Sequence, residues 1–230
     1  MKSYSKHLLL GLIVLSLWSC ASSPSGSPQQ EIPGPHEDQQ MEMGFIDIPQ
    51  EKIIVHTGLD VLEKMGFEPL LGKNVGVVTN HTAVNKKGAH LVDLLHANSD
   101  ISIKAIFAPE HGFRGKEQGG DAIPGSVDAN TGAPIHSLYG AQREPNPEML
   151  RGIDVLIFDI QDVGTRFYTY ISTMGYVLEA GAKYDIPVMI LDRPNPIGRR
   201  INGNVLDEGF ESFVGRYKIP IRYGLSMGEL

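Results

Sequence analysis

The chain has 230 residues and a formal net charge of −7, with one cysteine in its whole length. Its longest basic run is Arg199-Arg200, so electrostatics argue against nucleic acid as a partner. A single cysteine also excludes a disulfide within the chain. The length is enough for one domain with a substantial hydrophobic core.

The N-terminus has the pattern of an export signal. Lys2 and Lys6 give a basic start, and the apolar run at residues 8–17 is too short to span a bilayer as a helix. The run leads into Cys20, in a sequence that resembles the lipobox of bacterial lipoproteins, where the cysteine is lipidated. We expect residues 1–20 to be a signal peptide and the lipid on Cys20 to anchor the protein to a membrane. The alternative is an ordinary cleaved signal peptide with a chance cysteine.

The segments that flank the predicted domain differ from it in composition. Residues 21–45 are rich in Ser, Pro, Gly, Gln and Glu, which predicts a disordered tether. Residues 46–225 are predicted to form the Rossmann-like catalytic domain. Ser226 and Glu229 have the spacing of a helix capping box, so residues 226–230 are interpreted as the start of a truncated C-terminal region. Ala21 after the cysteine favours the outer membrane, facing the periplasm, if the host is Gram-negative.

Apolar runs alternate with amphipathic helical patterns along the domain. The β-branched and aromatic runs predict buried strands, and the helical patterns show apolar residues on one face. The predicted strands are 74–79, 101–107, 155–158 and 186–191, and the predicted helices are 58–65, 89–97 and 168–183. This alternation predicts an α/β fold, a Rossmann-like three-layer sandwich with a mostly parallel sheet.

Each predicted strand runs directly into a cluster of polar residues. These clusters are residues 80–82, 109–115, 159–166 and 192–196. Because the carboxyl ends of parallel strands share one edge of the sheet, the four clusters are expected to converge on one ligand-binding cleft.

The sequence motifs of several common enzyme classes are not found at the ends of the predicted strands. The first strand is not followed by G-x-G-x-x-G, residues 115–117 do not have the spacing of a phosphate-binding loop, and none of the predicted strands runs into a G-x-S-x-G elbow. The eight histidines have no tight ligand spacing, so no metal site is predicted. Because the phosphate-binding motifs are also missing, neither a cofactor nor a nucleotide is predicted. Carboxylates, arginines, amides and aromatics remain, and this set is typical of carbohydrate sites. Glycoside hydrolysis needs two carboxyl groups, for which the candidates are Glu110, Asp159, Asp162 and Asp192.

Several of these side chains have structural alternatives. The alternatives are a helix cap or an ion pair with Arg166 for Asp159, an Asp192–Arg193 ion pair, and hydrogen bonds to neighbouring loops for His81 and His111. Glu110 is the carboxylate that we interpret as functional, since it follows Pro109 in a glycine-rich turn from which it can project into the cleft.

Seven phrases of the sequence recur together in one bacterial family. They are VVTNHT (77–82), IFAPEHGFRG (106–115), SLYG (137–140), PEML (147–150), FDIQDVGTRFYTYISTM (158–174), LDRPNPIG (191–198) and SFVGRYKIPIRYGLSMGEL (212–230). From about residue 54 to its last residue, the chain resembles the exo-β-N-acetylmuramidases, long catalogued as a domain of unknown function. The resemblance implies a Rossmann-like domain followed by a second domain, with the active site between them. We expect the present sequence to be a fragment that stops before that second domain.

The resemblance also implies an activity. Members of the family remove N-acetylmuramic acid from the non-reducing end of peptidoglycan fragments, so MurNAc–GlcNAc saccharides are the expected partners and cell-wall recycling the expected role. The alternative, from a different functional class, is a non-catalytic lipoprotein of the envelope that binds muropeptides.

On the pattern of the family, Glu110 matches the proposed catalytic acid. Asp162 and His111 are the other catalytic candidates. Because muramic acid carries a lactyl carboxylate, an arginine fork is expected to bind it. The candidate arginines are Arg114, Arg166 and Arg193; the other expected substrate contacts are Asn80, Gln161, Tyr168, Asp192, Asn195 and His81, the last at a position where the family is expected to have glutamine.

Overall fold

The computed structural model of the chain describes residues 54–110, 112–114 and 126–230. The predictions for the signal peptide, for lipidation of Cys20, for the tether and for His111 fall outside the described residues.

Three helices and seven strands follow one another in the described residues. In chain order they are α1 (Gly58–Lys64), β1 (Asn74–Thr79), α2 (Leu91–His96), β2 (Ser102–Ala108), β3 (Ile135–Ser137), β4 (Val155–Asp159), α3 (Tyr170–Tyr184), β5 (Val188–Ile190), β6 (Asn202–Val205) and β7 (Pro220–Arg222). The start of α1 is fixed by a capping box, in which Thr57 and Asp60 satisfy each other's backbone N–H groups. None of these helices has both the length and the apolar character that crossing a bilayer requires.

Five of the strands form one sheet in the order β3-β2-β1-β4-β5. All four neighbouring pairs in this sheet are parallel. β6 and β7 form a separate antiparallel ribbon. The order reverses between β1 and β4, as in Rossmann-like sheets, so ligands are expected at the carboxyl ends of the strands near this point.

A hydrophobic core lies on each face of the sheet, because side chains alternate between the faces along a strand. On one face Leu59 of α1 and Leu91 of α2 pack with Val77 of β1. On the other face Ile171 of α3 packs with Val78 of β1. Helices on both faces of a parallel sheet confirm the predicted three-layer α/β sandwich.

The predicted and observed elements differ mainly at the edges. The predicted strand 186–191 is shorter, at Val188–Ile190, and β3, β6 and β7 were not predicted. At the C-terminus Ser226 and Glu229 form both hydrogen bonds of the predicted capping box, with Ser226 N–H donating to Oε2 over 2.9 Å and Glu229 N–H donating to Oγ over 3.3 Å.

Candidate active site

Glu110 lies two residues beyond the end of β2, at the carboxyl edge of the sheet. It lines a pocket of about 320 Å³, a size within the range of small-molecule sites. The other lining residues are mostly aromatic: Tyr139, Phe167, Tyr168, Thr169, Tyr170 and Val214. Glu110 is thus the one carboxylate in the described wall of a largely aromatic pocket.

Two hydroxyl groups approach the Glu110 carboxylate. The Thr169 hydroxyl donates a hydrogen bond to Oε2 over 3.1 Å. Tyr139 lines the same pocket, and the proximity of its hydroxyl to Glu110 is the main cause of the raised pKa of Tyr139. Thr169 immediately precedes α3, and Tyr139 follows β3 by two residues. The fold therefore brings three separate connections together around one carboxylate.

Sequence reasoning predicted Glu110 and Tyr168 for this pocket and missed the residues around them. Tyr139 belongs to the SLYG phrase, and Thr169 and Tyr170 belong to the long phrase at 158–174, so the recurring phrases contained the signal. Tyr168 and Tyr170 meet edge to face, with ring centroids 5.2 Å apart. Their rings supply the apolar surface on which a sugar ring can pack.

Asp162 is buried, with 2% of its surface exposed. It accepts hydrogen bonds from the Gly164 N–H over 2.6 Å and from the Tyr223 hydroxyl. Burial raises the pKa of Asp162, and these two hydrogen bonds oppose the shift. Burial, together with the nearby charges of Glu110 and Asp162, raises the pKa of Tyr170 to about 12. Asp162 is thus not among the residues of the described wall of the pocket, and it stabilises the Gly164 turn.

Asp159 pairs with Arg193 rather than with Arg166. Arg193 Nε and Nη2 donate to the two carboxylate oxygens over 2.6 and 3.1 Å, and both side chains are almost fully buried. Arg193 Nη2 also donates to the carbonyl of Val84 over 3.2 Å. The bidentate pair ties the end of β4 to the loop after β5, because the two carboxyl ends are neighbours in the sheet.

Asp192 therefore makes no ion pair with the Arg193 guanidinium, which corrects that structural alternative. Its Oδ2 accepts from the Ser226 hydroxyl over 2.7 Å, and its Oδ1 accepts from the Gly228 N–H over 2.7 Å. In this arrangement Asp192 holds the C-terminal turn onto the end of β5.

Three further candidates, Arg166, Gln161 and Asn195, bind backbone carbonyls. Arg166 is buried and donates to the carbonyls of Asn204 and Ile219, which attaches the start of α3 to the β6–β7 ribbon. The other contacts are Gln161 Nε2 to the Pro194 carbonyl at 3.1 Å and Asn195 Nδ2 to the Leu225 carbonyl at 2.9 Å. These residues converge at the edge of the sheet, as expected, and connect its loops to one another.

Asn80 and His81 follow β1 and have different surroundings. Asn80 is fully buried, and its Oδ1 accepts from the Thr82 N–H over 2.9 Å and from the Thr82 hydroxyl over 2.6 Å. Its carbonyl is bonded to His90 Nε2 at 2.8 Å. His81 is exposed. Asn80 therefore shapes the turn after β1, whereas His81 faces solvent.

Arg114 is the most accessible of the three candidate arginines. It contacts Asp93 and Asp128 at 3.3 and 3.2 Å and lies 4.2 Å above the Phe113 ring, yet a third of its side chain remains exposed. It lines a second cavity of about 300 Å³, together with Pro109 and Ser137. Pro109 precedes Glu110 directly, so this cavity adjoins the loop that carries the carboxylate.

A larger groove, of about 620 Å³, lies between α1, β5 and the C-terminal turn. Its two carboxylates, Asp192 and Glu229, are already bound by Ser226 and Arg199. The Glu110 pocket is the better candidate, because its carboxylate meets hydroxyls and aromatic rings in one place. Within 54–110, 112–114 and 126–230, no three His, Cys, Asp or Glu side chains are grouped to hold a metal ion.

The fold and the pocket define a class: a Rossmann-like α/β domain with a small-molecule site at the carboxyl edge of its parallel sheet. The chain belongs to the family described as exo-β-N-acetylmuramidase NamZ, whose N-terminal model matches residues 75–230. Over 177 residues it is 50% identical to the peptidoglycan β-N-acetylmuramidase NamZ of Bacillus subtilis (strain 168), a match that covers 76% of this chain and 43% of that protein.

Crystal structures of two DUF1343 family proteins from Bacteroides fragilis NCTC 9343 have the same fold. The first has a TM-score of 0.70 and 46% identity and covers 75% of this chain and 44% of its own. The second has a TM-score of 0.66 and 40% identity and covers 76% of this chain and 45% of its own. The chain thus spans less than half the length of these relatives.

Proposed function

We propose that this protein is an exo-acting glycoside hydrolase that releases N-acetylmuramic acid from the non-reducing end of peptidoglycan fragments. The observation that carries the proposal is the Glu110 pocket, where a carboxylate meets two hydroxyls and an aromatic wall. Membership of the muramidase family supports the substrate class. Cell-wall turnover is the role that such a product would serve.

In this proposal Glu110 is the general acid that protonates the oxygen of the leaving sugar as its bond to C1 of muramic acid breaks. Water supplies the hydroxyl that C1 gains and the proton that Glu110 recovers. Thr169 and Tyr139 orient its carboxyl group, and Tyr168 packs against a face of the pyranose ring. Asp162 acts indirectly, since it is buried and holds the Gly164 turn.

Arg114 is our candidate for the lactyl carboxylate of muramic acid. Arg166 and Arg193 are buried and bound to carbonyls or to Asp159, whereas Arg114 keeps exposed guanidinium surface beside the Glu110 loop. An arginine already paired with two aspartates can exchange one of them for a substrate carboxylate.

The specificity for N-acetylmuramic acid at the non-reducing end is tested with two isomeric disaccharides. The complete chain, and in parallel the longest protein that its gene encodes, is incubated with MurNAc–GlcNAc and with GlcNAc–MurNAc, and products are followed by mass spectrometry. The proposal expects free N-acetylmuramic acid from the first substrate only. Equal cleavage of both would rule out exo-specificity, and binding without cleavage would favour a muropeptide-binding protein.

We further propose that a lipid on Cys20 places this activity at the cell envelope, in the periplasm if the host is Gram-negative. The lipobox-like sequence before Cys20 supports this location. Metabolic labelling with a palmitate analogue should mark the wild type and not Cys20→Ala, and the variant should leave the membrane fraction. Labelling of both would contradict the anchor.

A further inference from the structure

The connection between β6 and β7 crosses the outer side of the Glu110 pocket. Residues 212–217 of this connection, which we call the strap, begin with a tight turn. Ser212 and Gly215 exchange both backbone hydrogen bonds, at 3.0 and 3.1 Å. This turn places Phe213 and Val214 at its centre, and Val214 lines the pocket with Glu110 and Tyr139.

Phe213 packs between the loop after β3 and helix α3. Its ring centroid lies 6.0 Å from that of Tyr139 and 6.3 Å from that of Tyr176. The Arg143 guanidinium stacks on Phe213 at 4.3 Å and donates to the carbonyl of Gly140 over 3.1 Å. Phe213 therefore contacts Tyr139 and the loop that carries it, as well as the helix that begins at the pocket.

The second half of the strap is fixed on α3. Arg216 stacks over Tyr176 at 4.2 Å and forms an ion pair with Glu179. The Tyr217 hydroxyl donates to the carbonyl of Ile171 over 3.3 Å. The close approach requires a glycine on the helix, because a Cβ at Gly175 would collide with the Tyr217 hydroxyl and lie 2.8 Å from Arg216 Nε. Gly175 thus serves the docking of the strap as well as the geometry of the helix.

We propose that Phe213 is a positioning residue, through which the strap holds Tyr139 in the wall of the pocket beside the Glu110 carboxylate. This inference rests on the proposed function for its catalytic consequence, and its structural part stands independently. A catalytic carboxyl group acts efficiently only when its proton points at the leaving oxygen, so packing that fixes its hydrogen-bond partner acts on the rate. Phe213 itself touches no reacting atom.

The structural part is tested without substrate, by NMR of the complete chain labelled at tyrosine Cζ. The chain has eight tyrosines, and the Tyr139 signal is the one that Tyr139→Phe removes. In the wild type Tyr139 should titrate above its ordinary pKa of 10.0, because its hydroxyl lies near the Glu110 carboxylate. Glu110→Gln should move this midpoint back towards 10.0, and so should Phe213→Ala.

Phe210→Ala is the matched control, since Phe210 lies in the same connection and is 73% exposed. It should leave the Tyr139 titration unchanged. A wild-type midpoint equal to that of Glu110→Gln, or a Phe213→Ala midpoint equal to that of the wild type, overturns the inference. If Phe213→Ala fails to fold, Gly175→Ala decides the question, because the added methyl displaces the strap from α3 and should give the same shift.

The catalytic part is tested by hydrolysis of MurNAc–GlcNAc. Phe213→Ala should lower kcat roughly tenfold with little change in KM, and it should have no further effect in a Tyr139→Phe background. Additive losses would show that Phe213 does not act through Tyr139. If the wild type releases no sugar, the proposed function fails, whereas the NMR comparison still decides the role of the strap.

Discussion

The Thr169 hydroxyl donates a hydrogen bond of 3.1 Å to Oε2 of Glu110. This contact joins the residue that precedes α3 to the loop after β2, across a sequence separation of 59 residues. β2 and β4, which leads into α3, flank β1 on either side in the sheet. The position of the carboxylate is therefore set by the strand order as well as by its own loop.

Thr169→Val should lower kcat for release of N-acetylmuramic acid by about tenfold, because it removes a hydrogen bond that orients the Glu110 carboxyl group. The shape of the side chain is kept, so the variant should fold normally by circular dichroism. The matched control is Thr173→Val, one turn along α3, whose hydroxyl donates to the Thr169 carbonyl over 3.2 Å. Equal activity of both variants and the wild type would show that the Thr169 contact has no catalytic role.

Asp159→Asn should lower the free energy of unfolding by about 3–5 kcal/mol, because it leaves the buried Arg193 guanidinium without its counter-charge. Urea denaturation measures the change. Glu144→Gln, which breaks the exposed pair with Lys183, is the control and should move the midpoint little. A midpoint shift for Asp159→Asn as small as that of the control would contradict a structural role for the buried pair.

Stability should depend on pH through Asp162. Burial raises its pKa in the folded state above the ordinary 3.8. Its contribution to stability is thus fully present below the ordinary value and is lost as pH rises through the raised value. Asp162→Asn lacks this loss of stability, so its free energy of unfolding should rise relative to that of the wild type as the pH increases above the ordinary pKa of 3.8.

Urea denaturation of the two chains across this range measures the difference. Tyr223→Phe should enlarge the loss in the wild-type background, since the Tyr223 hydroxyl lowers the pKa of Asp162. A difference between wild type and Asp162→Asn that is constant with pH, or that changes in the opposite direction, would contradict this account.

The parts of the fold that the sequence predicted are those with a continuous apolar signal. β1 lies at Asn74–Thr79 as predicted, because its residues are nearly all buried between two helical layers. β3, β6 and β7 are only three or four residues long, and their side chains are half-buried or exposed. Such strands form because a neighbouring strand offers hydrogen bonds. A local hydrophobic pattern therefore does not predict them.

The candidate site was predicted to a similar extent. Glu110 was found because it follows a buried strand in a glycine-rich turn, whereas Tyr139 and Thr169 reach it from distant connections. The convergence of polar residues at the sheet edge was also expected. The hydrogen-bond and ion-pair partners of these polar residues were not predicted. Sequence alone does not tell whether Arg193 binds a substrate or, as here, Asp159.

The role of Glu110 as the catalytic acid is tested by comparing Glu110→Gln with Glu68→Gln. Glu68 is exposed in the turn before β1, at the opposite edge of the sheet, and undergoes the same chemical change. With MurNAc–GlcNAc as substrate, we expect Glu110→Gln to release N-acetylmuramic acid at least about 100-fold more slowly than the wild type. Glu68→Gln should release it at the wild-type rate. Release by Glu110→Gln at the wild-type rate would show that Glu110 is not the catalytic acid.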